Sequence, residues 1–328
     1  MGLIMRIVRD VLLNLILITL ALILTASIIA LVEENVNRAT TEGEGLNLGK
    51  MTGESRAEMI KQSVKSYFRK TWDDFTGSER GKTLRAIGLT FAVLTMTMAL
   101  IFLLGLYWGL RAGYRGGWSN RVLSALAPVF SGIPAWFWAL LFLWTLWWKW
   151  DIGAVSYANR LLEAKRGGEP EILAQLSALL IPVLALTLSN IVVYAFSVRN
   201  LVKREASQEY FFIDVLKGLP DRRVMRKLLR TVLPSFLTFT SYNFLNLMIN
   251  GMAVEKLFEV PGIGKMLADS ATVIYVPNEF GELKIPEFIF DGASVFFVTF
   301  VMAVFYFLNS TILEALYLHL DPRREINE

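Results

Sequence analysis

This chain of 328 residues has no cysteine and only one histidine, His319. Without a thiol there is no disulfide, no thiolate nucleophile and no cysteine-ligated metal. One imidazole cannot build a histidine metal cluster or a multi-histidine proton relay. A phosphate-binding loop is missing too. Gly49-Lys50 and Gly264-Lys265 lack both the glycine five residues upstream and the Ser or Thr after the lysine. Nucleotide is therefore not bound in that way, and energy for any driven work has to come from elsewhere. Charge is scarce at 19% of residues, with a net +4. No basic patch is interleaved with stacking aromatics on a soluble face, so nucleic acid is not an expected partner.

What is abundant is apolar surface. Hydrophobic residues make up 54% of the chain, with nine tryptophans. Six apolar runs reach membrane-spanning length: Val11–Val32, Ala86–Leu110, Val122–Trp148, Ile172–Val198, Val232–Phe258 and Phe288–Leu318. Each exceeds the roughly 20 residues needed to cross a hydrocarbon core of about 30 Å. The first run is too long for a signal-peptide core and ends at Glu33 and Glu34, so it reads as a helix that stays. The expected fold class is all-α, a polytopic membrane protein with six transmembrane helices.

Orientation follows from the short loops. Arg6 and Arg9 precede the first run, Arg111, Arg115 and Arg121 fill the second loop, and Arg323 and Arg324 sit in the tail. The segment from Arg199 to Pro234 carries nine Lys and Arg against four acids. With six crossings these four clusters fall on one side, which the positive-inside rule makes cytoplasmic, with both termini inside. The segment 33–85 has ten basic and nine acidic residues, no bias, and is expected outside. Its first part, NRATTEGEGLNLGKMTGES, reads as a loop. Arg56–Trp72 reads as an amphipathic helix with Met59, Ile60, Val64, Tyr67 and Phe68 on its apolar face. The organisation expected is thus 1–32 as N-terminal segment and first span, 33–85 extracytoplasmic, and 86–324 as a core with a cytoplasmic loop at 199–231.

Within that loop lies a short aromatic piece, Tyr210 to Leu216, stopped by Gly218 and Pro220. It is far too short to span, yet Tyr210, Phe211, Phe212, Ile213 and Leu216 need somewhere to bury. Lipid headgroups or a groove on a cytoplasmic partner both satisfy that need. In the fifth run, Asn243, Asn246 and Asn250 are spaced three and four apart and share one helix face. Such amides do not face lipid. They either bond between helices, worth about 0.6 kcal/mol per contact, or line a polar solute path. Asp291 and Asn309 in the sixth run pose the same choice. The tryptophans from Trp136 to Trp150 fit an aromatic belt, and Arg222, Arg223, Arg226, Lys227 and Arg230 fit contact with anionic headgroups.

Four signatures then occur in order over roughly Ala86 to Arg324. They are RAGYRGGWSNRVLS leading into GIPAWFW, EYFFIDVLKGL, the E-K-L-F-E-V-P-G-I-G stretch from Glu255 to Gly264, and N-x4-E-x2-Y-x3-DPR from Asn309 to Arg323. Together they resemble the transmembrane permease subunits of binding-protein-dependent ABC importers, in the dipeptide/oligopeptide group. The resemblance implies no covalent chemistry and no cofactor on this chain, with ATP and Mg used by separate subunits. It implies a second homologous permease, two ATPases and an extracytoplasmic solute-binding protein as partners, in a cell membrane whose lipids surround the chain. Peptides lead as cargo, with oligosaccharides also carried by relatives. The ATPase-coupling role falls on Glu209, Tyr210, Phe211, Phe212, Ile213, Asp214, Leu216, Lys217, Gly218 and Leu219. The resemblance places the family turn on Glu255, Pro261, Gly262 and Gly264, while Asn243, Asn246, Asn250 and Asp291 remain path-lining candidates from their spacing and position, with helix packing as the alternative.

Three departures stand out. Phe212, Ile213 and Asp214 replace the small residues usual before the loop glycine, the stretch from Gly218 to Pro234 is short, and IYVPNEFGELKIPEF is inserted after the turn. Two other classes compete. An ion-coupled carrier would place ionisable groups at mid-membrane and show an inverted repeat, and a membrane anchor or sensor would carry a folded cytoplasmic domain. Neither feature is visible in the sequence.

Overall fold

The computed structural model describes residues 3–43, 53–150, 156–277 and 284–320. The helices in chain order are α1 (Leu3–Gly43), α2 (Gly53–Thr76), α3 (Arg80–Leu100), α4 (Leu106–Arg115), α5 (Gly117–Gly132) and α6 (Ala135–Trp150). They continue with α7 (Tyr157–Arg166), α8 (Glu171–Ala206), α9 (Glu209–Leu216), α10 (Asp221–Leu257), α11 (Ile263–Ser270) and α12 (Gly292–Leu320). A π-helical turn, Ile101–Gly105, joins α3 to α4. The chain forms two compact units, Met1–Leu89 with Pro261–Leu308, and Thr90–Val260 with Asn309–Glu328.

The second unit is built around α8, which touches α4, α5, α6, α7 and α10. Its closest neighbour is α4, and the reason is a ladder of glycines at every fourth position. A Cβ added at Gly105 would lie 2.6 Å from the Tyr194 ring. At Gly109 it would lie 2.6 Å from the Ala195 carbonyl oxygen, and at Gly113 2.8 Å from that of Arg199. Within a bilayer, helices associate by close packing rather than by a hydrophobic force, so small residues mark the seam. The Gly-x3-Gly-x3-Gly period is legible in the sequence, but its partner helix is not.

Both ends of this unit are tied. At one end Asp221, the first residue of α10, accepts from Arg115 Nη2 at 3.2 Å and from the Tyr114 hydroxyl at 3.3 Å. Arg199 Nε also donates to Asn120 Oδ1 at 2.7 Å there, which joins α8 to α5. At the other end the Tyr157 amide, opening α7, donates to the Phe258 carbonyl at 2.8 Å. Helix α10 (37 residues) therefore runs antiparallel to α8 (36 residues), from the level of the α8 C-terminus to the level of its N-terminus.

The first unit packs α2 against α1 and the start of α12. Tyr67 stacks on Phe296 at 5.9 Å, Phe68 meets the same ring edge-on at 4.8 Å, and Phe75 packs against Phe297. Leu22, Ala26, Ile29 and Ala30 of α1 complete this core. The acids that end the apolar part of α1 hold α2 in place. Glu33 accepts a hydrogen bond from the Tyr67 hydroxyl, and Glu34 takes Arg56 Nε at 3.1 Å.

Several expectations are corrected by these elements. The chain is mostly helical rather than all-α, because the inserted segment forms an antiparallel strand pair, β1 (Ala271–Pro277) and β2 (Lys284–Phe290). Val273, Ile274 and Val276 are β-branched residues that favour a strand. The last helix accordingly starts at Gly292, not Phe288. Helix α1 continues through Glu33 to Gly43, so residues 37–43 are helical and not loop. The third apolar run is broken at Ile133-Pro134, with a bend of 101° between α5 and α6. A proline rejects an α conformation at the residue before it, and Ile133 is extended there.

Among the described residues four helices are long and apolar enough to cross a membrane, or up to five if the bent pair is one crossing. Helix α10 is not among them, since Arg222 to Arg230 load its first turns with charge and Thr, Ser and Asn dilute the rest.

The glycine ladder generates a test. Gly109→Leu should force α4 off α8 and lower the melting temperature in detergent, at a cost above the about 1–3 kcal/mol typical of overpacking, because the clash is with backbone. Gly88→Ala, where a Cβ meets nothing within 4 Å, should be neutral. Equal melting of both variants would contradict a close seam.

Candidate functional site

Helix α9 starts where Phe211 and Phe212 donate backbone hydrogen bonds to the Gln208 carbonyl, and it ends where Lys217 donates to Ile213. Gly218 then takes φ +69°, a left-handed conformation that closes a helix at little cost only for glycine. Pro220 caps α10 immediately afterwards. The helix rests against α8 and α10. The Tyr210 hydroxyl donates to Glu205 Oε2 at 2.8 Å, which fixes α9 to the last turn of α8.

The apolar residues of α9 divide into two sets. Phe211 is only 3% exposed and belongs to the interior of this chain. Phe212 and Leu216 are 64% and 69% exposed, and Tyr210 and Ile213 are also open. Of the side chains expected to seek a partner, Phe211 instead anchors the helix, and the others form the free face. Glu209, Lys217 and Gly218 are exposed, and Leu219 is half-buried. The Asp214 side chain lies outside the described residues.

The asparagine stripe of α10 proves uneven. Asn243 is 5% exposed, and its Nδ2 has no hydrogen-bond acceptor among the described residues. Asn250 Nδ2 donates to Asn246 Oδ1 at 2.9 Å and to the Asn246 carbonyl at 2.8 Å, so that pair is satisfied within its own helix. Nearby, Asn309 Nδ2 donates to Ser241 Oγ at 2.7 Å, an interhelical bond between α12 and α10. Asn309 thus makes an interhelical bond, whereas Asn243 is buried with its amide unbonded among the described residues.

Asp291 is the N-cap of α12 in the first unit. Its Oδ1 accepts the Ala293 and Ser294 amides at 3.1 Å, and its Oδ2 accepts the Ser294 hydroxyl at 2.6 Å. Lys70 Nζ stands 3.4 Å away. Partial burial opposes its charge, but the Ser294 hydroxyl and amide and the Lys70 ammonium outweigh it, so the carboxyl is held below its ordinary value. The family turn straddles the change of unit between Val260 and Pro261. Glu255 is buried, its carbonyl accepts the Val260 amide at 2.9 Å, and Gly262 precedes α11 with Gly264 buried in the first turn. Glu259, which the sequence did not single out, takes φ +53° to end α10.

Among the described residues no group of three or more His, Cys, Asp or Glu could hold a metal. The arrangement is one of helices, caps and polar bonds rather than reacting groups.

Residues 101–326 match the family described as the binding-protein-dependent transport system inner membrane component. The chain belongs to that family, the permeases of ABC transporters, and is a multi-pass membrane protein rather than an enzyme. A putative peptide transport system permease protein of Brucella abortus (strain 2308) is 25% identical over 214 residues, 63% of this chain. The match spans 64% of the length of that relative. The oligopeptide transport system permease protein OppB of Mycobacterium tuberculosis is 26% identical over 280 residues, 83% of this chain and 80% of the relative. The dipeptide transport system permease protein DppB of Lactococcus lactis subsp. cremoris is 30% identical over 95 residues, 29% of this chain and 31% of the relative.

Asp291 gives a local test. Asp291→Ala should destabilise the start of α12 by about 1 kcal/mol, as loss of a side-chain cap does, whereas Asp291→Asn should keep most of the cap. The cap bonds to the charged form and lowers the folded pKa. Its charge-dependent contribution is therefore full above the ordinary carboxylate value of about 4 and fades as pH falls below it. Melting curves of the two variants at neutral pH check this. Normal stability in both, with uptake lost, would make Asp291 a path residue instead.

Proposed function

We propose that this chain is a transmembrane subunit of an ATP-driven importer and forms half of its solute path, with peptides as the cargo. The observation that carries the reading is α9: a helix anchored by Phe211 and Tyr210 whose Phe212, Ile213 and Leu216 face outward from the basic end of α8 and α10. An ATPase subunit of the importer buries that face. Closure of the ATPase pair on ATP and Mg then moves α9, and with it α8 and α10. The chain holds no cofactor of its own. Its partners are a second homologous permease, two ATPases, an extracytoplasmic solute-binding protein and the membrane lipids. The names of the relatives from Brucella, Mycobacterium and Lactococcus support peptide as cargo.

Six crossings with both termini in the cytoplasm complete the reading. It counts α5 with α6 as one bent crossing and adds α10 despite its charge. Support for α10 comes from its length, from its antiparallel run along α8 and from the bonds at its two ends. Support for the bent pair is that α5 begins directly after α4 at the Asp221 end. Segment 33–85 is then outside, the core 86–324 crosses five times, and loop 199–231 faces the ATPases. Asn243 contributes its free amide to the path.

Single cysteines in this cysteine-free chain test the topology. One at Ser78 should react with an impermeant thiol reagent on intact cells, and ones at Gly117 and Asp221 should not; labelling at Gly117 from outside would reverse the orientation.

Coupling is tested by Phe212→Ala combined with Leu216→Ala. Truncating a buried interface Phe costs about 2 kcal/mol or more, so the double variant should release the ATPase from the tagged complex or uncouple its hydrolysis. Both side chains are exposed in this chain, so folding should be unaffected. Full ATPase recovery with unchanged solute-stimulated hydrolysis would remove α9 from the coupling role.

A further inference from the structure

The first unit contains a cavity of about 590 Å³ between the end of α2, the start of α3, the α11 segment and the head of α12. That volume lies in the range of small-molecule sites, about 300–1,000 Å³. Its wall mixes apolar surface from Ala86, Pro261 and Met266 with charged groups of both signs. Some of these charges are already matched. Lys70 pairs with Asp291 at 3.4 Å, and Lys82 with Glu79 at 2.7 Å.

Three are not matched. Arg85, Lys265 and Asp74 line the cavity, and none makes a hydrogen bond or ion pair among the described residues. Partial burial penalises the charged form of Asp74 most, and Asp291, Asp73 and Glu79 add to that. Lys70 alone opposes them, so the carboxyl titrates above its ordinary value. A carboxylate so placed favours a cation beside it. Arg85 and Lys265 favour an anion, and the guanidinium can hold a carboxylate or phosphate with two parallel bonds.

The geometry points to a site for a small zwitterion, its anionic group on Arg85 and Lys265, its ammonium on Asp74 and its middle against Ala86 and Met266. A short peptide and an ethanolamine phospholipid headgroup share that chemistry. On the topology proposed above the site lies outside the cell, in the unit that does not contain the asparagine stripe. Lys70 to Ala86 precede the family match, which begins at residue 101, so about half of the wall lies outside the matched segment. The peptide source rests on the importer reading; the charge pattern does not.

The test uses the permease–ATPase complex in nanodiscs, without binding protein. In discs of phosphatidylcholine alone, tri-alanine is followed by saturation-transfer NMR beside its C-terminal amide and its N-acetyl form. Wild type should bind tri-alanine and lose about tenfold or more in affinity on either blocking, as loss of a charged hydrogen bond does. Arg85→Gln with Lys265→Gln should lose as much, and amidation should then cost that variant nothing further. Asp74→Asn should do the same for N-acetylation. A second set of discs contains phosphatidylethanolamine. If that lipid stays with purified wild type, is lost from the variants, and tri-alanine binds to neither, the zwitterion is the headgroup. Binding of both probes unchanged by all three substitutions, or no binding of either, would overturn the site. Failure of wild-type cells to take up peptide would count against the importer reading alone, because the readout here is binding.

Discussion

The seam between α4 and α8 is the constraint on which the second unit depends. Apolar side chains gain little by leaving lipid for protein, so helices in a bilayer are held by how closely their backbones approach. Gly105, Gly109 and Gly113 remove the side chains that would keep α4 away, and Val198 and Val202 fill the space that is left. With α4 pressed on one side, α8 offers its remaining faces to α5, α6, α7 and α10. The polar ties at the ends follow from that placement. Tyr114 and Arg115 reach Asp221 only because α4 ends beside the start of α10.

The short helix α9 inherits its position from the same arrangement. It lies between two of the longest helices, and Tyr210 and Phe211 join it to them, one by a hydrogen bond and the other by burial. A rigidly mounted apolar face suits transmission of a push better than a tethered loop would. In the coupling role proposed for α9, a force on Phe212 or Leu216 would pass to α8 and α10, the helices it rests against. The proposed lever would ask no covalent chemistry of the chain.

The first unit is fastened by polar groups set around an aromatic core. Glu33 and Glu34 end the apolar stretch of α1 and hold Tyr67 and Arg56, and Asp291 caps α12 while pairing with Lys70. Gly292 leaves the space in which Glu33 and the Tyr67 hydroxyl meet, since a Cβ there would fall 2.6 Å from the carboxylate. These bonds order the segment that follows α1, whose charge balance alone gave no bias to either side.

Much of this was legible in the residues. Run length, loop charge and the four ordered signatures are local or nearly local properties, so they fixed membrane class, family and the place of α9 without a fold. The amphipathic period of Arg56–Trp72 likewise announced α2. Other features depend on contacts between distant positions, which no local pattern carries. Phe211 and Phe212 are neighbours of the same type, yet one is buried and the other free, because only one points at α8 and α10. Asn243 and Asn250 share a face in sequence, but tertiary packing enclosed one and left the other to bond Asn246. The bend at Pro134 was present as a proline, though its 101° size was not. The unmatched charges Asp74, Arg85 and Lys265 converge on one cavity only when α2, α3 and α11 fold together. Period and charge are written along the chain, whereas burial and pairing are decided by which residues meet across it.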